Sequence, residues 1–467
     1  MAKVLLVQPH NNLKEKTNIA APPSSLIIVA TAIEHKHPVK IYDRNVELGE
    51  NLESSDELFF KFLEEYKPDI VGFTTMTSTM LYDIVHLGPK IKEVMTKSII
   101  IIGGVHPSIE PDSVLKEPYV DYILRGEGEE AFLEFCDTFD KNPDELGKLM
   151  NINKNPTRPF VDLNNVKFPD YSLVDTKKYR QFFIFTSRGC PGKCTFCYNI
   201  DMWGKNGNPC VRVYDTEKTK ALFKEAIEKY GIVDFTISDE NFITFKQRSI
   251  EVGEFLEKNY KGKINFLIFG RADFMKRNED AIKVLRRAGL HTIQIGSETG
   301  SQRVLDFLNK NISVEIQAEA IEICKRNGIF SDASFMIGIP TETLEELKMT
   351  EKFIKETKPD IMDIKIFNPI PGTKVFDDLV IQGRIKKPQT LEEWADWTGN
   401  WRDMKHNFSN IPDDILWEYA ERLWSYNYYR SRLKKAIFWI LRGRFKYVAT
   451  KIKQGLIKGY NKEGLEL

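Results

Sequence analysis

Three of the chain's six cysteines lie close together, at Cys190, Cys194 and Cys197, in the spacing CxxxCxxC. Three thiolates this near one another can hold zinc, hold an iron–sulfur cluster or form disulfides. Structural zinc takes four protein ligands, and only Cys210 is near enough to be a fourth. Few cysteines and no secretory signal disfavour disulfides. An iron–sulfur cluster is favoured, because three ligands would leave one iron of a four-iron four-sulfur cluster open to substrate.

The sequence around the cysteines predicts a loop at the end of a strand. An apolar aromatic run at 182–185 leads into the motif, and the Arg-Gly and Pro-Gly pairs at 188–189 and 191–192 break it. Metal sites on α/β sheets are built beyond the carboxyl ends of strands. Cys324, inside a predicted helix at 314–327, is interpreted as core packing.

Strands and helices alternate on both sides of this motif, which predicts an α/β protein with parallel sheets. Residues 1–140 contain five strand patterns and are expected to form a Rossmann-like (flavodoxin-like) domain. Residues 141–180, rich in Pro and Asn, form a connector, with 168–171 at the domain interface. Six more strand–helix units within 181–385 predict a partial (β/α)6 barrel, which is too small to close. Residues 386–467 read as a helical, Trp-rich and basic C-terminal region.

At the cysteines the sequence resembles the radical S-adenosylmethionine (SAM) enzymes, whose motif has an aromatic residue before the third cysteine, here Phe196. The resemblance implies that Cys190, Cys194 and Cys197 hold a four-iron four-sulfur cluster whose open iron binds SAM. Reductive cleavage of SAM then gives a 5′-deoxyadenosyl radical. An external electron donor, a flavodoxin or a ferredoxin, is implied as a partner.

The same resemblance implies SAM contacts after successive barrel strands. Glu240 falls where the family holds the amino group, and Arg271 is expected to pair with the carboxylate, for which a guanidinium fork is suited. Ser297 and Glu298 are expected beside the ribose. Each can also be an ordinary turn or helix-cap residue. Hydrogen abstraction by a carbon radical needs no polar side chain, so no catalytic residue is assigned.

Residues 1–140 resemble the cobalamin-binding domain that precedes many radical SAM enzymes of the class B methyltransferase type. The match consists of Pro22-Pro23, a GGxHxS segment and a GEGE turn at 126–129. It implies these cobalamin contacts: Thr74, Thr75, Gly103, Gly104, His106, Gly126 and Glu127. The DxHxxG motif of enzymes that ligate cobalt with histidine is absent, since the first strand is followed by Gln-Pro-His-Asn-Asn at 8–12. Cobalamin is therefore expected to bind without a histidine on cobalt.

The composition limits the kinds of partner and the location that can be expected for the protein. Lys plus Arg and Asp plus Glu are both 67, which argues against a nucleic-acid binder. No cleavable leader or spanning apolar stretch is recognised, so a cytoplasmic location is expected. Residues 430–462 carry eleven Lys or Arg and no acid, with apolar residues at helical spacing. This pattern is typical of a helix on the inner face of a membrane, although a solvated helix face and RNA contact are alternatives.

The sequence thus predicts a radical SAM enzyme that cleaves SAM and uses cobalamin to C-methylate a hydrophobic small molecule or lipid. A cyclase or carbon–carbon coupling enzyme of pigment or lipid biosynthesis is the first alternative. A non-catalytic iron–sulfur binding or electron-transfer protein is the second. Six of seven tryptophans lie at 394–439, and they are expected to form either a small helical cap or a wall over the substrate.

Overall fold

The computed structural model describes residues 1–10, 21–49, 51–147, 159–398 and 406–426. Its first unit is a five-stranded parallel sheet in the order β2-β1-β3-β4-β5. The strands are β1 (Val4–Gln8), β2 (Val39–Asp43), β3 (Ile70–Thr75), β4 (Ile99–Gly104) and β5 (Tyr122–Leu124). Their apolar runs are continuous because helices cover both faces of the sheet. This order is that of flavodoxin-like folds, which confirms the prediction.

The helices of this unit are Ser24–Ile33, Leu52–Tyr66, Met80–Val94, Val105–Ile109, Pro111–Leu115 and Glu129–Lys141. The second shows how the sequence sets their ends. Asn51 accepts a hydrogen bond from the Ser54 backbone N–H in a capping box, and Lys67 ends the helix with a left-handed φ of 51°. Phe59 and Leu63, one turn apart, are fully buried against the sheet.

The second unit is a six-stranded parallel sheet in the order β13-β12-β11-β10-β9-β6. Its strands are β6 (Phe182–Ile184), β9 (Asp234–Ile237), β10 (Asn265–Gly270), β11 (Leu290–Glu298), β12 (Phe330–Ile337) and β13 (Ile361–Ile366). β6 and β13 lie at opposite edges of the sheet, so the barrel is open, as predicted. An unexpected antiparallel ribbon, β7 (Ser187–Arg188) with β8 (Arg212–Val213), follows β6.

The second unit contains both long and short helices. They are Asn199–Trp203, Thr216–Glu228, Lys246–Tyr260, Ala272–Arg277, Glu279–Ala288, Gln302–Phe307, Val314–Arg326, Leu344–Thr357 and Lys374–Ile381. Asn278 separates the helices Ala272–Arg277 and Glu279–Ala288, because its backbone is non-helical, with φ −120° and ψ 32°. Cys324 is fully buried in the core, as interpreted from the sequence.

Side chains from both units and from the helix Leu391–Thr398 share one hydrophobic core. The connector stretch 168–171 lies between the units, as expected: the Asp170 N–H donates to Thr31 Oγ1 at 2.9 Å, and Tyr171 Oη donates to the Phe183 carbonyl at 3.3 Å. Trp394 and Trp397 pack in the shared core. Trp417 and Trp424 pack against the barrel core. Trp401 and Trp439 lie outside the described residues.

Candidate functional site: a cysteine loop beside a cavity between two sheets

The three motif cysteines lie on the loop that follows the β7 strand, and all three are half-buried. Two glycines shape this loop. Gly189 has a φ of +90°, and a Cβ there would lie 1.9 Å from the Cys210 carbonyl oxygen, so no other residue fits. A Cβ on Gly192 would lie 2.5 Å from Arg271 Nη1. Cys210 therefore packs against the loop through its backbone.

Polar groups surround the sulfurs. The Gly192 N–H donates to Cys190 Sγ at 3.4 Å, and Arg271 Nη1 lies 3.7 Å from Cys194 Sγ. Burial raises the pKa of the Cys190 thiol, and it raises the pKa of Cys197 to about 12. Such thiols ionise when a metal supplies positive charge. The donor set therefore fits a thiolate-bound metal group.

Among the described residues, no three His, Cys, Asp or Glu side chains surround a point where a single ion could sit. A four-iron cluster imposes no such arrangement, because each thiolate binds a different iron atom.

The end of β9 supports the cysteine loop through a buried carboxylate. Asp239 Oδ1 accepts hydrogen bonds from the N–H groups of Thr186 at 2.6 Å and Ser187 at 3.0 Å. Arg248 Nη2 donates to the Thr186 carbonyl at 3.0 Å and lies in the same buried cluster. The sequence does not reveal this role of Asp239, because its partners lie more than fifty residues earlier in the chain.

The predicted SAM residues lie at the carboxyl ends of successive strands. Glu240 follows β9 and is exposed to a cavity described below; the surrounding protein nevertheless raises the pKa of its carboxyl through burial, and Asp239 adds to the shift. Arg271 follows β10 beside the cysteines, and Asn241 Oδ1 accepts its backbone N–H at 2.9 Å. Ser297, on β11, is fully buried, and its hydroxyl has no hydrogen-bond partner among the described residues.

Glu298 is held by a residue that sequence reasoning missed. Lys310 Nζ donates to Glu298 Oε1 at 2.5 Å, and both side chains are buried. The same ammonium lies 5.8 Å from the Phe196 ring centroid, and the Lys310 carbonyl accepts from Arg271 Nη2 at 3.1 Å. Glu298, and the thiolate of Cys194 when it is ionised, raise the pKa of Lys310 against the effect of its burial.

A turn signal in the sequence pointed to the place of Lys310. Asn309 and Asn311 flank it, and both have left-handed φ values, of 50° and 55°. Asparagine tolerates this region better than most residues, so Asn-Lys-Asn indicates a tight turn. Only the fold shows that the turn delivers a lysine to the cysteine loop.

A cavity of about 620 Å³ lies between the carboxyl ends of the first sheet and the cysteine side of the barrel. Its first wall carries six of the predicted cobalamin residues: Thr74, Thr75, Gly103, Gly104, Gly126 and Glu127. The opposite wall includes Phe183, Phe185, Tyr198, Met202, Trp203 and Glu240. Small residues on the first wall let a large flat ligand approach the backbone. Gly104 is also required by the fold itself, since its φ is +102° and a Cβ there would lie 2.4 Å from the Thr75 carbonyl oxygen.

His106 is the exception, because it does not line this cavity. It is fully buried between Thr77 and Ser113, and its ring packs edge-on to Trp394 at 5.7 Å. Ser113 Oγ donates to the Glu110 carbonyl, so the His106 Nε2–H donates to Ser113 at 3.0 Å and Nδ1 accepts from Thr77. Burial lowers the pKa of His106 to about 3. The expectation that His106 contacts cobalamin is therefore wrong: its two nitrogens are used inside the protein.

Glu127 lines the cavity, but its carboxylate is already engaged. Arg188 pairs with it, and Arg212 Nη2 donates to Glu127 Oε1 at 2.8 Å. Burial alone would raise the pKa of Glu127, but hydrogen bonds from Arg212 and the charge of Arg188 outweigh burial and lower it. Glu127 is therefore an ionised group that joins the two units. Both of its carboxylate oxygens accept hydrogen bonds from protein, and its contact with cobalamin stays a prediction.

A cysteine loop on a six-stranded open barrel, joined through a cavity to a flavodoxin-like sheet, defines a radical SAM enzyme with a cobalamin domain. The chain belongs to the radical SAM superfamily, whose model matches residues 184–354, and a B12 binding domain model matches residues 17–135. The cofactors are accordingly a four-iron four-sulfur cluster, SAM and cobalamin. Membership makes the chain an enzyme and removes the non-catalytic alternative.

Particular relatives agree with this assignment. The uncharacterized methyltransferase PH0819 of Pyrococcus horikoshii is 32% identical over 80% of this chain and 82% of that protein. The anaerobic magnesium-protoporphyrin IX monomethyl ester cyclase of Rubrivivax gelatinosus is 29% identical over 67% of this chain and 59% of the cyclase. The methyltransferase TsrM of Kitasatospora setae, solved with cobalamin and a 4Fe-4S cluster, matches with a TM-score of 0.67. At 16% identity over 82% of this chain and 78% of TsrM, it shows the shared fold.

Proposed function

We propose that this enzyme transfers a methyl group from cobalamin to a carbon atom of a hydrophobic small molecule or lipid. The observation that carries the proposal is the cavity shared by the two units. The wall with Gly103 and Gly104 and the wall with Tyr198 and Glu240 face one space. Groups held on these two walls would share that space, which a transfer between them requires. The similarity to a methyltransferase over four fifths of the chain supports the same reaction.

The residues have distinct parts in this proposal. When bound, the cluster and SAM supply a carbon radical that abstracts hydrogen from the substrate, and cobalamin supplies the methyl group. Cys190, Cys194 and Cys197 would hold the cluster, with Arg271 contributing positive charge beside Cys194. Glu240 would accept hydrogen bonds from the SAM amino group, and Arg271 would pair with the SAM carboxylate. Ser297 and Glu298 would face the ribose of SAM. Thr74, Thr75, Gly103, Gly104 and Gly126 would form the cobalamin wall.

The lining of the cavity supports a hydrophobic substrate. Met76 and Met80 of the first unit face Phe183, Phe185 and Trp203 of the second. Apolar and aromatic side chains hold apolar ligands and exclude water, which protects a radical from side reactions. This enclosure and positioning are the main contributions of the protein to radical chemistry.

The test is anaerobic incubation of reconstituted protein with SAM, a reductant and hydroxocobalamin. We expect release of 5′-deoxyadenosine, retention of cobalamin through gel filtration, and formation of S-adenosylhomocysteine as SAM remethylates reduced cobalamin. Without hydroxocobalamin, S-adenosylhomocysteine should no longer form, whereas 5′-deoxyadenosine should still be released. Protein that cleaves SAM but neither retains cobalamin nor forms S-adenosylhomocysteine would refute methylation.

The cyclase relative supports a second candidate, oxidative ring closure or carbon–carbon coupling on a pigment or lipid precursor. Both candidates begin with hydrogen abstraction, so 5′-deoxyadenosine does not separate them. SAM labelled in its methyl group does. Label in the product indicates methylation, whereas an unlabelled product lighter by hydrogen indicates cyclisation or coupling.

Cleavage of SAM consumes an electron, so we propose a low-potential flavodoxin or ferredoxin as the partner that supplies it. Replacing the chemical reductant by a reduced flavodoxin with its reductase should sustain 5′-deoxyadenosine formation. If 5′-deoxyadenosine forms with the chemical reductant but not with reduced flavodoxin or ferredoxin, this class of donor is contradicted.

We further propose a cytoplasmic protein whose segment 430–462 contacts the inner face of the membrane, as part of a C-terminal region beginning at residue 386. The segment lies outside the described residues, and among those described no helix could span a membrane. Each basic residue near anionic lipid contributes roughly 1 kcal/mol, so the eleven present would be significant. The full chain should float with anionic liposomes and be released by salt. A chain ending at residue 429 that still floats would refute the idea.

A further inference from the structure

Two arginines lie directly opposite one another on the ribbon that leads into the cysteine loop. In the antiparallel pair β7–β8, Arg188 faces Arg212 and Ser187 faces Val213. Like charges at opposed positions destabilise a strand pair. The hydrogen bonds from Thr186 and Ser187 to Asp239 hold the start of the ribbon and not the two guanidinium groups. The barrel unit alone therefore leaves this ribbon with an electrostatic conflict.

The first unit resolves the conflict with two carboxylates from its GEGE turn. Arg188 pairs through Nη1 with Glu127 and through Nη2 with Glu129. Arg212 donates to both oxygens of Glu127, at 2.8 and 3.2 Å. The four side chains are only 4–18% exposed, so two positive and two negative charges neutralise one another largely out of contact with solvent.

The connector closes the same cluster. The Val161 N–H donates to Glu127 Oε2 at 2.7 Å, and its carbonyl accepts from Arg212 Nη1 at 2.9 Å. The Phe160 ring lies under the Arg212 guanidinium at 4.1 Å. The Val161 carbonyl thus holds the Arg212 guanidinium at one edge, and the Phe160 ring covers one of its faces.

This group of ion pairs lies directly next to the cysteine loop in the sequence. Arg188 is followed by Gly189, packed on the Cys210 carbonyl, and then by Cys190. A displacement of the ribbon would therefore move Cys190. We propose a positioning role for four residues: Arg188, Arg212, Glu127 and Glu129. They hold the cysteine loop in place only when the cobalamin domain is docked, so that retention of the iron–sulfur cluster depends on docking. The inference rests on the three cysteines holding the cluster and not on methylation.

The test measures iron and sulfide in the full-length chain. Glu127→Gln leaves the two arginines short of one charge, and Arg188→Lys keeps the charge but cannot reach both carboxylates as a fork. After identical anaerobic reconstitution, we expect both variants to release iron to a chelator at least about tenfold faster than wild type, as changes behind metal ligands do. Cobalamin need not be present.

Matched controls separate positioning from general destabilisation. Glu47→Gln removes one carboxylate from another contact of the first unit, the exposed pair with Lys178, and Arg326→Lys alters an exposed pair within the barrel. Both should release iron at the wild-type rate. Melting temperatures are recorded for all four variants, and release is measured well below the lowest. If Glu127→Gln and Arg188→Lys both release iron at the wild-type rate, the proposal is overturned, even if their melting temperatures fall.

If Glu127→Gln does not fold, Arg188→Lys and Glu129→Gln decide the matter, because each leaves Glu127 paired with Arg212. Folded Arg188→Lys protein with unchanged iron release would then be the contrary result. Absence of methylation by wild-type protein that retains its iron would count against the proposed function and not against this inference.

Discussion

Lys310 Nζ lies 2.5 Å from Glu298 Oε1, and both groups are buried beside the cysteine loop. The carboxylate is aimed by an unusual backbone: Glu298 has a φ of +64°, and the strand pairing with β12 slips between Gly296 and Glu298. Gly296 makes room for the pair, since a Cβ there would lie 2.5 Å from Glu298 Oε1 and 2.9 Å from Lys310 Nζ. The result is a fixed positive charge near Cys194.

Lys310→Met should make the cluster harder to reduce. It removes the positive charge that interacts with Cys194, so adding an electron nearby costs more. We expect a more negative midpoint potential in a titration followed by electron paramagnetic resonance. Glu298→Gln should shift the potential the other way, and the double variant should lie between the two. An unchanged potential in Lys310→Met would show that the charge does not act on the cluster.

Gly296→Ala should be destabilising because its new methyl group overlaps the Lys310–Glu298 pair. Overpacking of this kind costs about 1–3 kcal/mol. Gly147→Ala is the control: nothing lies within 4 Å of the added Cβ. Urea denaturation of the two variants should show a lower midpoint for the first alone. Equal midpoints would mean that the pair moves aside freely.

Cys194→Ala should abolish iron binding, whereas Cys210→Ala should leave it intact. Three thiolates are needed to hold a four-iron cluster at three corners, and Cys210 contacts the loop through its carbonyl, which alanine retains. Iron per chain and the visible spectrum after anaerobic reconstitution give the answer. Loss of iron in Cys210→Ala would instead make that sulfur a fourth ligand.

Glu342 should make stability fall as the pH rises. Burial raises the pKa of this carboxyl from its usual 4.5 to about 8, although the N–H groups of Gly338 and Ile339 oppose the shift. The folded state therefore holds a proton that the unfolded state loses, and the free energy of unfolding declines between these two values by up to about 1.4 kcal/mol per pH unit. Glu342→Gln should flatten this slope, as urea unfolding at several pH values would reveal. A parallel slope in wild type and variant would contradict the raised pKa.

His106 should act in the opposite direction, at lower pH. Its pKa is lowered from 6.5 to about 3 by burial, so below pH 6.5 the unfolded state binds a proton that the folded state refuses. Stability is fully present above 6.5 and is lost as the pH falls toward 3, again by up to about 1.4 kcal/mol per pH unit. His106→Gln should weaken this acid sensitivity without changing iron content. If the variant retains less cobalamin while its stability is unaltered, the result would instead indicate that His106 contacts cobalamin.

The sequence by itself determined the large features. Runs such as Ile-Ile-Ile-Ile at 99–102 can be buried only between two layers, so their alternation with helical patterns predicted both parallel sheets. The spacing of Cys190, Cys194 and Cys197 predicted a thiolate site on a loop because ligand spacing is local. Glycines and small residues at strand ends predicted a cavity wall, since they act through the backbone.

Tertiary structure decided which charged groups meet. His106 stands in a promising motif, yet the helix Leu391–Thr398 covers it with Trp394, almost three hundred residues away in the chain. Glu127 and Arg188 lie on different units, and Lys310 reaches Glu298 from a turn beyond the next helix. No local pattern records such pairings, because electrostatic partners are set by distance in space. The sequence fixes which charges exist, and only the packing of the two units determines which of them neutralise one another.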